Sequence, residues 1–372
     1  MAQLTRTVPF FPYPQVFKAY ETELTRAFKE VAGKGAFIMQ QEVNDFEDSL
    51  RKLTGAKYAL GVSNATDGLI IALRALPLGS GDEVVFASHT FVATAAAVHF
   101  AGGVPVPADC GSDHLIDPDS VERAITSRTR VIMPTQLNGR TADMDRLKAI
   151  AREHNLAIVE DAAQGLGSKF KSQCAGTFGV AGAISFYPAK NLGAMGDAGA
   201  ILTNDGAIYE RMCLLRDHGR HQTGEVKMWG MNARLDNLQA AFLNLKIQRY
   251  AEIVEKRRHV ASLYQELLGG VRELALPPAP GSHPDHFDVF QNYEIEAERR
   301  DELKKHLHDN RVGTLIQWGG KAVHQFTALG FKVSLPNTEK MFTRCLMLPM
   351  NDFLSDQDVR YVCEQVRHFY RS

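Results

Sequence analysis

The sequence predicts an α/β protein, with a large, seven-stranded, mostly parallel sheet followed by a small α+β C-terminal unit. Two observations carry this. Over the first two thirds of the chain, short continuous apolar runs alternate with helix-like stretches, the order expected of a parallel sheet covered by helices on both faces. Beyond Asp236 the pattern changes to a long helical stretch, a Pro- and Gly-rich loop and a few differently spaced short elements. Residues 1–250 are assigned to the large unit, with its N-terminal segment, and 251–372 to the small one.

The predicted strands are 57–62, 83–87, 104–108, 130–133, 156–160, 183–186 and 199–202. Helices are predicted at 67–76, at 118–127 with Asp117 as N-cap and Pro118 in the first position, and at 145–154. Residues 236–268 read as one helix closed by Gly269-Gly270. After the loop LALPPAPGSHPDH, FQNYEIEA reads as a strand, 299–309 as a helix, and 313–318 and 345–348 as short strands. The last helix opens on a Ser355–Asp358 capping pair, and Val359, Val362, Cys363, Val366 and Phe369 share one of its faces.

Lys plus Arg number 42 and Asp plus Glu 43, a formal net charge of −1. That excludes a chain held to nucleic acid or to an anionic membrane mainly by bulk charge. With 45% hydrophobic and 23% charged residues, disorder is excluded too. The most apolar runs, such as 131–134 and 156–159, fall far short of the roughly 20 residues of a membrane span. The N-terminal MAQLTRTVPFFPYP does not read as a signal peptide. Five cysteines, none in a CxxC pair or at ligand spacing from a histidine, predict neither a disulfide framework nor a metal site. A thiol-reducing, cytoplasmic setting is expected.

Three motifs carry chemistry. In SFYPAKNLGAMGDAGAI, Lys190 follows a buried-looking strand and precedes Gly193, Gly196 and Gly199, spacing that suits a close backbone approach to a ligand. Lysine forms a Schiff base with a carbonyl when burial lowers its pKa. In IVEDAAQGLG, Asp161 ends an apolar strand, where open α/β sheets bind ligands. Alone it is as well explained as a helix cap. Paired with Lys190 it matches the two demands of pyridoxal phosphate: an amine for the aldehyde and an acid for the pyridinium nitrogen. Gln164 shares the side of Asp161 if a helix begins there. In GVSNATDGLIIALRAL, Ser63, Asn64, Ala65 and Thr66 lead from a strand into a helix. This is either a phosphate cup or an ordinary N-capped helix. The Walker and GxGxxG patterns are absent.

Taken together, SNATDGL, SHTFVATAAAV, EDAAQGLG, SFYPAKNLGAMGDAGA and GMNARLDNLQAA, spread over residues 63–241, resemble the DegT/DnrJ/EryC1/StrS family of sugar aminotransferases. The resemblance implies the aspartate-aminotransferase fold (fold type I) and pyridoxal 5'-phosphate as cofactor. Lys190 is then the Schiff-base lysine and proton shuttle, Asp161 the pyridinium partner, and Gln164 a contact near the ring oxygen. Ser185, Ala65 and Thr66 would bind the phosphate, and Phe91 would stack on the ring unless it is a core residue. Asn232 would reach the phosphate of a neighbouring subunit, which implies a homodimer with shared sites. Departures from the family pattern are Ala65 in place of glycine, Gln136 and Asn138 in PTQLNGR, Ala198 and Lys321.

The resemblance further implies transfer of an amino group from L-glutamate to a nucleotide-linked ketosugar. A 3-keto sugar is favoured over a 4-keto sugar by the Arg234-Leu235-Asp236 helix start. Arg234, His218, Arg220, His221 and His324 are candidates for the sugar diphosphate, each weighed against an ordinary surface charge. The alternatives are a scyllo-inosose-type aminotransferase, a sugar dehydratase (disfavoured because those relatives replace the lysine by histidine) and a non-catalytic regulator on the same fold.

Overall fold

The computed structural model describes residues 6–371; the first five residues of the N-terminal segment read above for a signal peptide lie outside them. The main sheet has seven strands: β1 (Tyr58–Val62), β2 (Glu83–Ala87), β3 (Val104–Ala108), β4 (Thr129–Met133), β5 (Ala157–Asp161), β6 (Ala181–Ser185) and β7 (Gly199–Thr203). Their order is β1-β7-β6-β5-β4-β2-β3. β7 runs antiparallel to β1 and β6, and the remaining pairs are parallel. The seven expected strands are all present, shifted by no more than a residue or two. Continuous apolar runs made them legible: β2, for example, is buried at every position.

Helices α1 (Tyr13–Lys34) and α2 (Gln41–Thr54) precede the sheet, α3 (Ala65–Arg74), α4 (Val92–Ala101), α5 (Pro118–Ala124) and α6 (Met144–Glu153) connect its strands, and α7 (Gly206–Arg216) follows the last of them. α3 starts two residues before the expected point because the Asn64 side chain caps it, accepting from the N–H of Asp67 at 2.8 Å. Gly68 lets α3 settle on the sheet: a Cβ there would lie 3.3 Å from Ala183 and Ile201. α5 has the expected Asp117 cap.

The single helix expected over 236–268 is two, α8 (Asn237–Ile247) and α9 (Tyr250–Leu268). No proline or glycine marks the break. Tyr250 turns inward there, buried, with its hydroxyl donating to the Leu166 carbonyl at 2.6 Å. Gly269 does not close α9 through a left-handed cap; its φ is −59°, in the right-handed region.

A second core gathers α9, α10 (Arg300–Asp309), α12 (Asp356–Arg371) and an antiparallel sheet of β8 (Leu274–Ala275), β9 (Tyr293–Ala297) and β10 (Cys345–Leu348). The short α11 (Pro336–Phe342) precedes β10. Residues 313–318 are not the expected strand. Leu315 makes one bridge to Met347, and a 3-10 turn follows in which Trp318 and Gly319 have positive φ, ending the extended run. In α12 the Ser355–Asp358 box forms in both directions, and the expected apolar face is buried. Burying each of Val359, Val362, Val366 and Phe369 is worth about 1.5–3 kcal/mol. The N-terminal segment joins this core: the N–H of Val8 donates to Arg311 at 2.9 Å and that of Gly313 to Val8 at 2.8 Å.

Candidate active site

A cavity of about 770 Å³ opens between the two cores, beyond the carboxyl ends of β1, β2, β4, β5 and β6. Ala65, Thr66, Phe91, Asp161, Gln164, Ser185 and Lys190 all line it. Residues up to 125 positions apart in sequence are therefore brought to one wall-to-wall space, as the switch point of an α/β sheet does.

Asp161 closes β5 and is buried. Its Oδ2 accepts from the Thr94 hydroxyl at 2.6 Å and its Oδ1 from the N–H of Ala163 at 3.1 Å. A hydroxyl has one proton, so the directions follow. Thr94 gives its proton to Asp161, Thr90 donates to Thr94 at 2.7 Å, and Thr135 donates to Thr90 at 3.0 Å. Three threonines thus hold the carboxylate in one orientation. Burial pushes its carboxyl up, opposed by Thr94, by the Ala163 N–H and by the charge of Lys190. A cationic ring nitrogen in the cavity would add a further opposing charge.

Lys190 is half-buried and faces the cavity. Burial pushes its ammonium down to about 8, against the attraction of Asp161. Its loop is clasped from the far side by Gln291, whose Oε1 accepts from the N–H of Asn191 at 2.9 Å and whose Nε2 donates to the Ala189 carbonyl at 3.0 Å. Gly193 and Gly199 serve close packing within the chain. A Cβ on Gly193 would lie 2.3 Å from the Pro188 carbonyl oxygen, and one on Gly199 would lie 2.6–2.9 Å from the backbone of Asn64 and Ala65.

That second contact builds the cup. Gly199 pairs with Ser185 across β6 and β7, so the α3 N-terminus is pressed against the strand end that carries the Ser185 hydroxyl. The N–H groups of Ala65 and Thr66 belong to the unpaired first turn, and among the described residues they have no acceptor. Two free N–H donors, a hydroxyl and a positive helix end form an anion site. Ala65 has no positive φ, so glycine is not required there.

Phe91 is 54% exposed and lines the cavity, so it is not a core residue. Gln164 lies on a turn, not on a helix, and is held by its Oε1, which accepts from the N–H of Asn138 at 2.8 Å and from Asn292 at 3.2 Å.

The expected diphosphate ligands lie elsewhere. His324 is buried outside the cavity, its Nδ1 2.7 Å from the Ser88 hydroxyl and its Nε2 3.2 Å from Glu339. Both of its ring nitrogens are engaged within the chain. Arg234 donates to Asp217 at 2.7 Å, and Arg220 holds the other oxygen of the same carboxylate at 2.8 Å. Asn232, His218 and His221 are exposed and do not line the cavity.

The sequence reading missed two groups. Phe10, Phe11, Gln291, Asn292 and Trp318 reach the cavity from segments with no motif. Glu160, next to Asp161, is a fully buried hub that accepts from Gln136 at 2.7 Å and from the N–H groups of Gly176, Phe178 and Gly179. An acidic residue inside an apolar strand was the available signal.

The DegT/DnrJ/EryC1/StrS aminotransferase family model matches residues 18–367. The chain belongs to this family. Its members are pyridoxal-phosphate-dependent sugar aminotransferases of fold type I. The chain is 37% identical to the pleiotropic regulatory protein of Geobacillus stearothermophilus, over 98% of this chain and 99% of that one. It is 35% identical to the dTDP-3-amino-3,4,6-trideoxy-alpha-D-glucose transaminase of Streptomyces venezuelae, over 98% and 97%. It superimposes on the crystal structure of S. venezuelae DesV in complex with a ketimine intermediate with a TM-score of 0.94 at 35% identity, covering 99% of this chain and 100% of that one.

The residues present fit the cofactor: a buried carboxylate, an amine of depressed proton affinity and an anion cup with two unpaired N–H donors share one cavity.

Proposed function

We propose that this family member moves the amino group of L-glutamate to a nucleotide-linked 3-ketosugar. The observation that carries the reading is Lys190 facing Asp161 across a cavity whose third wall is the α3 anion cup. Lys190 would hold the cofactor's aldehyde carbon, Asp161 its ring nitrogen, and Phe91 its face. The N–H groups of Ala65 and Thr66, with the Ser185 hydroxyl, would hold its phosphate. Bound in this way, pyridoxal phosphate supplies an electron sink for the pair left when a C–H bond of the amino donor breaks.

The protein's own part is proton movement and orientation. With its affinity near 8, Lys190 is partly neutral near pH 7, so its Nζ can accept a proton and return it without a large penalty. Asp161, fixed by Thr94 and Ala163, keeps a cation at the ring nitrogen favourable. Phe10, Phe11 and Trp318 give the cavity part of its apolar wall.

The 3-keto preference rests on Arg234-Leu235-Asp236 and on the 3-amino product in the name of the Streptomyces venezuelae relative. Asn232 and the 218–232 segment serve a second copy of the chain in a homodimer. This is supported by their exposure, with Trp229 94% and Val226 64% accessible beside Asn232. Five free cysteines and the lack, among the described residues, of a helix long and apolar enough to cross a membrane fit a cytoplasmic setting.

The test runs the reaction in reverse. Purified enzyme with pyridoxal phosphate is offered dTDP- and UDP-linked 3-amino and 4-amino sugars as donors to 2-oxoglutarate, and glutamate formation is followed. The reading expects glutamate from the 3-amino sugars at a rate at least about tenfold above the 4-amino set, a difference of about 1.4 kcal/mol in the barrier. The reverse order would move the ketone to C4. Activity with another oxo acid but not with 2-oxoglutarate would replace the donor.

A further inference from the structure

Away from Lys190, the segment after β2, the loop after β3 and strand β9 of the second core bring His89, His114 and Glu294 together. Their ligating atoms all lie within 4.8 Å of one another. His114 Nδ1 is 3.0 Å and His89 Nε2 3.6 Å from the same Glu294 oxygen, Oε2. The side chains of His89 and Glu294 are 0% and 1% exposed.

The protonation of His89 follows from its partner. Its Nδ1 lies 2.9 Å from the His114 carbonyl oxygen, which can only accept, so Nδ1 carries a proton. In the neutral ring Nε2 is then a lone pair, buried, without a hydrogen-bond partner among the described residues, and aimed at a carboxylate. A lone pair facing a carboxylate oxygen in a dry site is relieved by a cation between them, a proton or a metal ion. His114 has its outer Nε2 3.2 Å from Glu296 Oε1, and its inner Nδ1 makes a 3.0 Å hydrogen bond to Glu294 Oε2 that a metal ion would replace. Each imidazole is thus backed on its outer nitrogen by a carbonyl or a carboxylate, the arrangement that orients metal-ligating histidines.

We propose that His89, His114 and Glu294 bind a divalent transition-metal ion of the zinc class at the junction of the two cores. Two imidazole nitrogens and one carboxylate oxygen are a zinc donor set. Ligands at about 2.0–2.1 Å in a tetrahedron lie about 3.3 Å apart, between the two separations seen here. His114 and Glu294 also line a separate cavity of about 270 Å³, which gives the ion an entry path and room for a fourth ligand.

The ion would pin Glu294, which accepts from Asn138 Nδ2 at 3.0 Å and from Gln317 at 2.8 Å. Asn138 in turn holds Gln164 in the active-site wall. The site depends neither on the amino donor nor on the sugar. The competing arrangement is a cluster held by protons, with His114 bridging Glu294 and Glu296.

The full chain loaded with pyridoxal phosphate is stripped with a chelator and dialysed against zinc. Bound metal is counted, and X-ray absorption reads the ligand shell. The proposal expects one zinc per chain, a nitrogen and oxygen shell at about 2.0–2.2 Å, and no sulfur at about 2.3 Å. Glu296→Gln, which weakens the backing of His114 and breaks the surface pair of Glu296 with Arg344 at 3.2 Å, should weaken binding about 10–100-fold. His89→Gln and Glu294→Gln should lose the ion. No retained zinc, a sulfur shell from the cysteines, or undiminished binding by folded His89→Gln protein would overturn it. If those two variants do not fold, the wild-type ligand shell decides.

Discussion

Burial and Asp161 pull the proton affinity of Lys190 in opposite directions, and burial wins, leaving it near 8 rather than 10.5. The neutral amine is the nucleophile, so the rate at which the cofactor-free protein captures pyridoxal phosphate should rise with pH through about 8 and level off above it. Stopped-flow absorbance at a series of pH values measures this. A rate still climbing beyond about pH 10 would describe an ordinary exposed lysine. The same depressed affinity affects stability. The unfolded chain binds the proton more tightly, so the destabilisation by this group is full below about 8 and is relieved between about 8 and 10.5. Lys190 and Asp161 were legible because residue type and position at a strand end restrict their chemistry. His324 was not: nothing in the sequence says that Ser88 and Glu339 will occupy both its nitrogens. His114 and Glu294 were equally hidden, since 180 positions separate them and no local spacing links them.

The anion cup is a property of how α3 meets β7, not of any one side chain. Gly199→Ala would place a methyl 2.6 Å from the Asn64 carbonyl carbon and 2.8 Å from the Ala65 nitrogen. Both are backbone atoms, so α3 must move. Overpacking of this kind costs about 1–3 kcal/mol. The variant should fold with a lower midpoint and bind pyridoxal phosphate more weakly, measured by thermal unfolding with and without cofactor. An unchanged cofactor affinity would place the phosphate elsewhere. The seven core strands were legible because burial on both faces forces continuous apolar runs. α1 and α2 were not assigned, although α1 buries Val16, Tyr20, Leu24, Ala27 and Val31 at helical spacing. Exposed Tyr13, Phe17 and Phe28 blur that stripe. The α8–α9 break had no local signal, because its cause is Tyr250 reaching Leu166, a residue 84 positions earlier in the chain.

The active site exists only where the two cores meet, and Gln291 is the direct tie between them at Lys190. Gln291→Ala leaves the Asn191 N–H and the Ala189 carbonyl without their partner. Each unmade buried bond costs about 1–3 kcal/mol. We expect a lower unfolding midpoint and slower cofactor capture, with Lys190 still present. If capture kept its wild-type rate and pH dependence, the second core would not position the lysine. Family membership was readable from five motifs in the large unit, whereas the second core's share of the cavity carried no motif and came only from the fold. The central claim is that Lys190 holds the cofactor and that L-glutamate gives it the amino group. Its most direct test is the visible absorption spectrum of wild type and Lys190→Ala during titration with pyridoxal phosphate and then L-glutamate. The account predicts a protein-bound cofactor band in wild type that bleaches as glutamate is added, and no such band in the variant. A band of the same form in Lys190→Ala, or a wild-type band that glutamate leaves unchanged, would contradict it.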